Sequence, residues 1–234
     1  MPAGKAYKHL FFDLDHTLWD FDRNSELTLR QLYEDYGLAS RGIGDFDLFC
    51  RTYGAHNDRL WERFRSGYIR REDLRWKRIW YTLLDFKVAD TALAHELSAT
   101  YLELLPTQSA LVPFAKDLLE HCRERYVLHL ITNGFEATQW QKLQFSGIAG
   151  YFSEVITSER SNSLKPHRAI FDYALQATGA LATESIMIGD ALDIDVLGAF
   201  NAGWDQVYFN PKKLAHRRQP TYEVHRLDML MQIF

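Results

Sequence analysis

The sequence predicts an α/β fold, a parallel-sheet core carrying an inserted helical bundle. Three observations predict it. A short apolar run near the N-terminus, His9 to Phe12, ends abruptly in carboxylates, as FFDLDHTL. From about Asn24 to Leu105 the apolar residues keep helical period and no strand stands out. From Pro113 onward short β-type runs alternate with helical stretches, the pattern of a sheet built by right-handed crossovers.

The elements follow in order. Leu10-Phe11-Phe12 has no helical period and suits a buried central strand. In the insertion, Leu29, Leu32, Tyr33 and Tyr36 fall on one helical face, and Gly37 can end that helix. Trp76, Trp80, Leu83 and Leu84 repeat the stripe, and core packing is its simplest reading. Asp90 suits the N-cap of a final helix ending before Pro106, so four amphipathic helices are expected. Pro113 suits the first turn of a helix running to about Arg125. Val127–Ile131 reads as a strand, followed by a helix to about Phe145. Glu154–Ile156 is a short strand, and Ala169–Thr178 a helix closed by Gly179. Ser185–Ile188 is the next strand, Asp195–Asn201 a helix, and Val207–Phe209 the last strand. The helical segment is inserted after the first strand, which gives a core of residues 1–18 and 108–234 and a cap of residues 19–107.

Composition narrows the function. The chain has 234 residues, 47% of them apolar, enough to bury a substantial core. Lys plus Arg number 27 against 31 Asp plus Glu, and a net charge of −4 disfavours a nucleic-acid polymer as partner. Cys50 and Cys122 lie far apart without metal-type spacing and read as reduced thiols of a cytoplasmic protein. The N-terminal MPAGKAYKHLFFD has no apolar leader core, and no run is long enough to span a bilayer. A soluble, cytoplasmic enzyme acting on a small molecule, as a monomer or small homo-oligomer, is the expectation.

Each core strand ends in polar residues: Asp13 and Asp15, then Thr132-Asn133-Gly134, then, across a loop, Lys165-Pro166, then Gly189-Asp190 with Asp193 and Asp195 behind. In a parallel sheet these ends lie side by side, where open α/β sheets hold their ligands. A single polar strand end is explained by a turn or helix cap. Four in order, carrying complementary groups, are not.

DLDHT, ITNG, LKP and IGDALDID, in that order, resemble the four motifs of the haloacid dehalogenase-like hydrolases (the HAD superfamily) in their phosphatase branch, and the insertion after the first motif is similar to that family's helical cap. The resemblance covers essentially the whole chain. It implies a Rossmann-like core and a Mg²⁺-dependent phosphatase working through an aspartyl-phosphate. Asp13 would be the nucleophile and Asp15 the acid, then the base. Asp13, Asp190 and the Asp15 backbone carbonyl would hold the cation, for which Mg²⁺ is the hard, oxygen-liganded choice. Lys165 would neutralise nucleophile and phosphate, and Thr132 with the backbone N–H groups of Asn133 and Gly134 would hold phosphoryl oxygens. Asp195 matches the motif acid that orients Lys165, with Asp193 a nearby competitor.

Carbon–halogen hydrolysis releases a halide and needs no leaving-group acid, so the presence of Asp15 argues against a dehalogenase. No cap lysine has the surroundings a Schiff-base mechanism requires. His167-Arg168 departs from the Asp-Pro common in relatives and touches helix capping more than chemistry. The layout also resembles the family's bacterial pyrimidine 5′-nucleotidases, including the aromatic hinge Trp19-Asp20-Phe21, whose rings could stack on a base or simply pack the hinge. A nucleoside 5′-monophosphate is therefore the expected substrate. A sugar-phosphate or phospho-acid phosphatase or mutase is the alternative, and a catalytically idle binding module is a third reading.

Overall fold

The structure, a computed structural model, describes residues 6–234. The part of the leader expectation that concerns residues 1–5 lies outside them. The chain divides into two compact units: one holds the residues up to Phe21 together with Ser109–Phe234, the other Asp22–Gln108.

The first unit opens with β1 (His9–Phe12). The second unit then carries α1 (Phe21–Asp35), which starts at the boundary, α2 (Phe46–Arg65), α3 (Arg71–Asp85) and α4 (Thr91–Leu104). Aspartates begin two of them: Asp45 accepts the Leu48 N–H and Asp90 the Leu93 N–H, both at 2.9 Å. The bundle interior is built from Leu29, Leu32, Phe49, Tyr53, Leu60, Leu74, Ile79, Leu83, Leu97 and Tyr101. In α3 the buried face is Leu74, Arg78, Ile79, Thr82 and Leu83 rather than the tryptophan stripe. Trp76 and Trp80 are only partly covered, with Trp76 stacked on His95 at 4.2 Å, and Leu84 is exposed. Indole rings share a helical period with the core without having to enter it.

The first unit resumes with α5 (Ala115–Arg123), β2 (Val127–Thr132), α6 (Glu136–Phe145), β3 (Glu154–Thr157), α7 (Ser158–Ser161), α8 (Arg168–Thr178), β4 (Ser185–Gly189), α9 (Leu197–Asn201), β5 (Asp205–Phe209) and β6 (Tyr222–Val224). Three sequence expectations are corrected. Pro113 lies ahead of α5 rather than in its first turn, because Phe114 takes a left-handed conformation (φ 69°) at the N-cap. A sixth strand, β6, follows the strand expected to be last; at three residues it is too short to announce itself by pattern. Finally, α9 begins at Leu197, preceded by a wide turn over Leu192–Val196 in which the Ala191 carbonyl takes both the Asp195 and Val196 N–H groups.

The six strands are all parallel, in the order β3-β2-β1-β4-β5-β6. Both faces of β1 are covered, so Leu10, Phe11 and Phe12 are all buried without alternation. On one face Phe11, Ile131, Ile156 and Met187 pack with Phe171, Trp204 and Ala199. The sheet order runs outward both ways from β1 and β4, and a doubly wound sheet binds ligands at such a reversal, beyond the strand ends. Among the described residues no helix is long and apolar enough to cross a membrane.

Candidate active site

Asp13 follows β1 directly, and its N–H donates to the Ile188 carbonyl at 2.9 Å, so the central pair β1/β4 holds it in place. The chain then turns tightly. The Leu14 carbonyl accepts N–H groups from Leu18 and Trp19, both at 2.9 Å, and His16 adopts a left-handed φ of 64°. This turn folds Thr17 back against the end of β4. Thr17 is fully buried; its hydroxyl donates to Asp190 Oδ1 at 3.0 Å and accepts the Asp190 N–H at 3.1 Å. The threonine that ends the first motif therefore orients the carboxylate of the fourth.

Lys165 is the centre of the cluster. Its ammonium donates to Asp13 Oδ1 at 2.5 Å and to the Ile131 carbonyl at 2.7 Å, it forms an ion pair with Asp195 Oδ1 at 2.7 Å, and the side chain is 1% exposed. Burying an ammonium is costly unless its charge is matched, and here two carboxylates and a carbonyl surround it. The neighbouring carboxylates hold its pKa above the ordinary lysine value against the opposing effect of burial. Asp195 is buried and its second oxygen accepts the Ala191 N–H at 3.1 Å, whereas Asp193 is exposed and pairs with Arg218 at 3.3 Å. Of the two sequence candidates, Asp195 is the one that touches Lys165. Gly189 makes room for it: a Cβ there would lie 2.3 Å from Asp195 Oδ2.

Asp13, Asp190 and Asp195 bring ligand oxygens within 4.8 Å of one another. Burial drives Asp13 up to about 8, outweighing the attraction of Lys165, and drives Asp190 up to about 7, with Asp195 adding repulsion to both. The Asp15 side chain is not in this group. It turns to α6, where Lys142 Nζ meets Oδ1 at 2.6 Å and Gln139 Nε2 meets Oδ2 at 3.1 Å. Those contacts keep its pKa below the usual carboxylate value although burial pushes the other way.

The end of β2 is equally ordered. Thr132 Oγ1 accepts from Gln139 Nε2 at 2.6 Å and from the Gly134 N–H at 3.1 Å, which leaves its own O–H to donate. The Asn133 side chain both accepts the Lys165 N–H at 2.7 Å and donates to the Lys165 carbonyl at 2.9 Å, tying the loop after β3 to the end of β2. Trp19 is placed otherwise than base stacking requires. It is fully buried, and the Lys142 ammonium lies 4.4 Å from its ring centroid. Phe21 is partly covered, 5.0 Å from the His16 ring.

Thr17, Gln139 and Lys142 are the site residues that sequence reasoning missed. Gln139 and Lys142 sit three apart in the helix after ITNG, so a shared face was legible. That this face is the buried one was not.

The model of the family described as haloacid dehalogenase-like hydrolase matches residues 7–203. The chain is 34% identical over 229 residues to pyrimidine 5′-nucleotidase PynA of Streptococcus pneumoniae, covering 96% of this chain and 94% of that protein. It is 36% identical over 226 residues to a glyceraldehyde 3-phosphate phosphatase of Methanothermobacter thermautotrophicus, covering 95% and 93%. The crystal structure of the HAD-hydrolase YfnB of Bacillus subtilis, bound to magnesium, superimposes with a TM-score of 0.88 at 29% identity, covering 98% of this chain and 99% of that one.

Proposed function

The chain belongs to the haloacid dehalogenase-like hydrolases, and from that footing we propose that it is a Mg²⁺-dependent phosphatase of small phosphomonoesters, with nucleoside 5′-monophosphates as its substrates. The observation that carries the phosphatase reading is the pairing of Asp13, held by Lys165, with a second aspartate two residues on that is held separately by Lys142 and Gln139. A nucleophile alone serves any displacement. A second, independently oriented carboxylate serves a leaving group that departs as an alkoxide and needs a proton.

In the first half-reaction an Asp13 oxygen attacks phosphorus, the bond to the ester oxygen breaks, and Asp15 delivers a proton to that oxygen. In the second, Asp15 takes a proton from water, whose oxygen attacks phosphorus and returns Asp13 as a carboxylate. Lys165 offsets negative charge on the nucleophile and phosphoryl group throughout, and the Thr132 hydroxyl with the Asn133 N–H binds phosphoryl oxygens; the Gly134 N–H, expected from the sequence to join them, instead donates to Thr132 Oγ1.

The donor set fits a divalent cation. Three carboxylates crowd within 4.8 Å against one ammonium, and burial and mutual repulsion hold two of them toward their neutral forms, a balance that a hard cation reverses. Asp13, Asp190 and the Asp15 carbonyl would hold it, while Asp195 stays with Lys165. When bound, the cation supplies charge neutralisation on the phosphoryl oxygens.

The substrate reading is supported by the likeness to PynA across 94% of that protein. A second reading, a three-carbon phosphate ester, is supported by the 36% identity to the glyceraldehyde 3-phosphate phosphatase. One screen tests both: nucleoside monophosphates, triose and sugar phosphates, and p-nitrophenyl phosphate, each with Mg²⁺ and with EDTA. The expected result is metal-dependent hydrolysis with a pyrimidine nucleotide among the best substrates. Triose phosphates exceeding every nucleotide by tenfold would replace the nucleotide reading. Full activity in EDTA would remove the metal, and no hydrolysis of any ester would remove the phosphatase.

A further inference from the structure

Lys142 is an unusual lysine. Its side chain is 4% exposed, it belongs to none of the strand-end motifs, and its ammonium has one carboxylate partner, Asp15, at 2.6 Å. Indole and phenyl rings take the remaining space, with centroids 4.4 Å away for Trp19 and 5.7 Å away for Phe21. An aromatic face partly offsets the loss of water around a cation. It does so less well than water itself, so stability alone gives little reason to keep an ammonium here.

Gln139 stands one helical turn earlier and is fully buried. Its amide nitrogen meets both Asp15 Oδ2 at 3.1 Å and Thr132 Oγ1 at 2.6 Å. Two side chains from one face of α6 thus take the two oxygens of a single carboxylate, and one of them continues to the end of β2. The backbone makes room for this arrangement. Gly134 has no Cβ, and a Cβ there would sit 2.3 Å from Gln139 Cδ.

We propose that Lys142 and Gln139 are the positioning residues for Asp15, fixing the plane of its carboxylate against the leaving-group oxygen, and that Trp19 and Phe21 seat Lys142 rather than the substrate. The inference rests on the phosphatase reading. A carboxylate held by one oxygen still turns about its last bond; held by both, its plane is fixed, and the proton it exchanges with the leaving oxygen travels in one direction. Departure of the leaving group is the step most sensitive to that direction, and it matters more as the leaving oxygen becomes more basic. Lys142→Met keeps the length and apolar stem of the side chain and removes the cation. Gln139→Leu cuts the link to Thr132.

The test compares p-nitrophenyl, phenyl and ethyl phosphate at saturating Mg²⁺, with inhibition by inorganic phosphate as the binding readout and thermal melting as the fold control. Wild-type hydrolysis of these esters is established first; its absence overturns the phosphatase reading and this inference with it. With wild type active, Lys142→Met should lower kcat on ethyl phosphate at least about tenfold more than on p-nitrophenyl phosphate, with phosphate inhibition little changed. Ethylamine should restore part of the ethyl phosphate activity of Lys142→Ala. Trp19→Phe, a smaller perturbation of the same seat, should lose activity in the same leaving-group order and keeps the test available if the Lys142 variants melt early. Equal losses on all three esters, or a folded Lys142→Ala that ethylamine does not rescue, would reduce Lys142 to packing.

Discussion

Asp195 Oδ1 lies 2.7 Å from the Lys165 ammonium, and Asp193, two residues earlier, points outward to Arg218. One wide turn of backbone separates a buried acid from a solvated one. Lys165→Ala is expected to lower kcat the most, because it removes the cation beside Asp13. Asp195→Asn should cost less, and Asp193→Ala should stay within about twofold of wild type, since exposed pairs contribute little. Steady-state kinetics on p-nitrophenyl phosphate decides the order, and a loss at Asp193 exceeding that at Asp195 would reverse the assignment.

Thr17 both donates to and accepts from Asp190, at 3.0 and 3.1 Å. Thr17→Val keeps the shape and removes both contacts. Groups that orient a ligand typically matter by tenfold or more, so the Mg²⁺ concentration for half-maximal activity should rise by roughly tenfold. Thr17→Ser should recover most of it. A Mg²⁺ titration unchanged in Thr17→Val would leave the threonine as a packing residue.

Burial pushes Asp13 up to about 8 and Asp190 up to about 7, above the carboxylate value they return to on unfolding. The folded state therefore holds protons there that the unfolded chain has released by about pH 5, and their contribution to stability is lost as pH rises through 7 and 8. A divalent cation binds the ionised forms and restores it. The rise in Tm on replacing EDTA with Mg²⁺ should accordingly be larger at pH 8 than at pH 5.5. An equal rise at both would show that the two carboxylates do not respond to the ion.

Two motif glycines leave room for other side chains. A Cβ at Gly189 would fall 2.3 Å from Asp195 Oδ2, and one at Gly134 would fall 2.3 Å from Gln139 Cδ. Gly189→Ala should therefore mimic the Asp195→Asn defect, and Gly134→Ala the leaving-group selectivity of Gln139→Leu. Pairing each alanine with its partner's substitution in a double-mutant cycle should give losses well short of additive. Additive losses would separate the glycines from the side chains they face.

The sequence by itself determined the parallel core, the helical insertion and the groups at the strand ends. A buried strand must be apolar without helical period, and ligand chemistry in such a sheet must collect where strands end. Asp13, Thr132, Lys165 and Asp190 were legible for that reason. Tertiary structure alone decided which way side chains face once a helix or turn begins. Asp193 and Asp195 differ only in the wide turn that carries one inward and leaves the other in solvent. Gln139 and Lys142 look like surface residues of an amphipathic helix until α6 packs that face inward. Trp19 read equally as a flat surface for a ligand or as hinge packing, and the fold set an ammonium against that surface. Pattern records the period of a chain; which phase of it is buried is fixed by neighbours distant in sequence, and at this site those neighbours are charged.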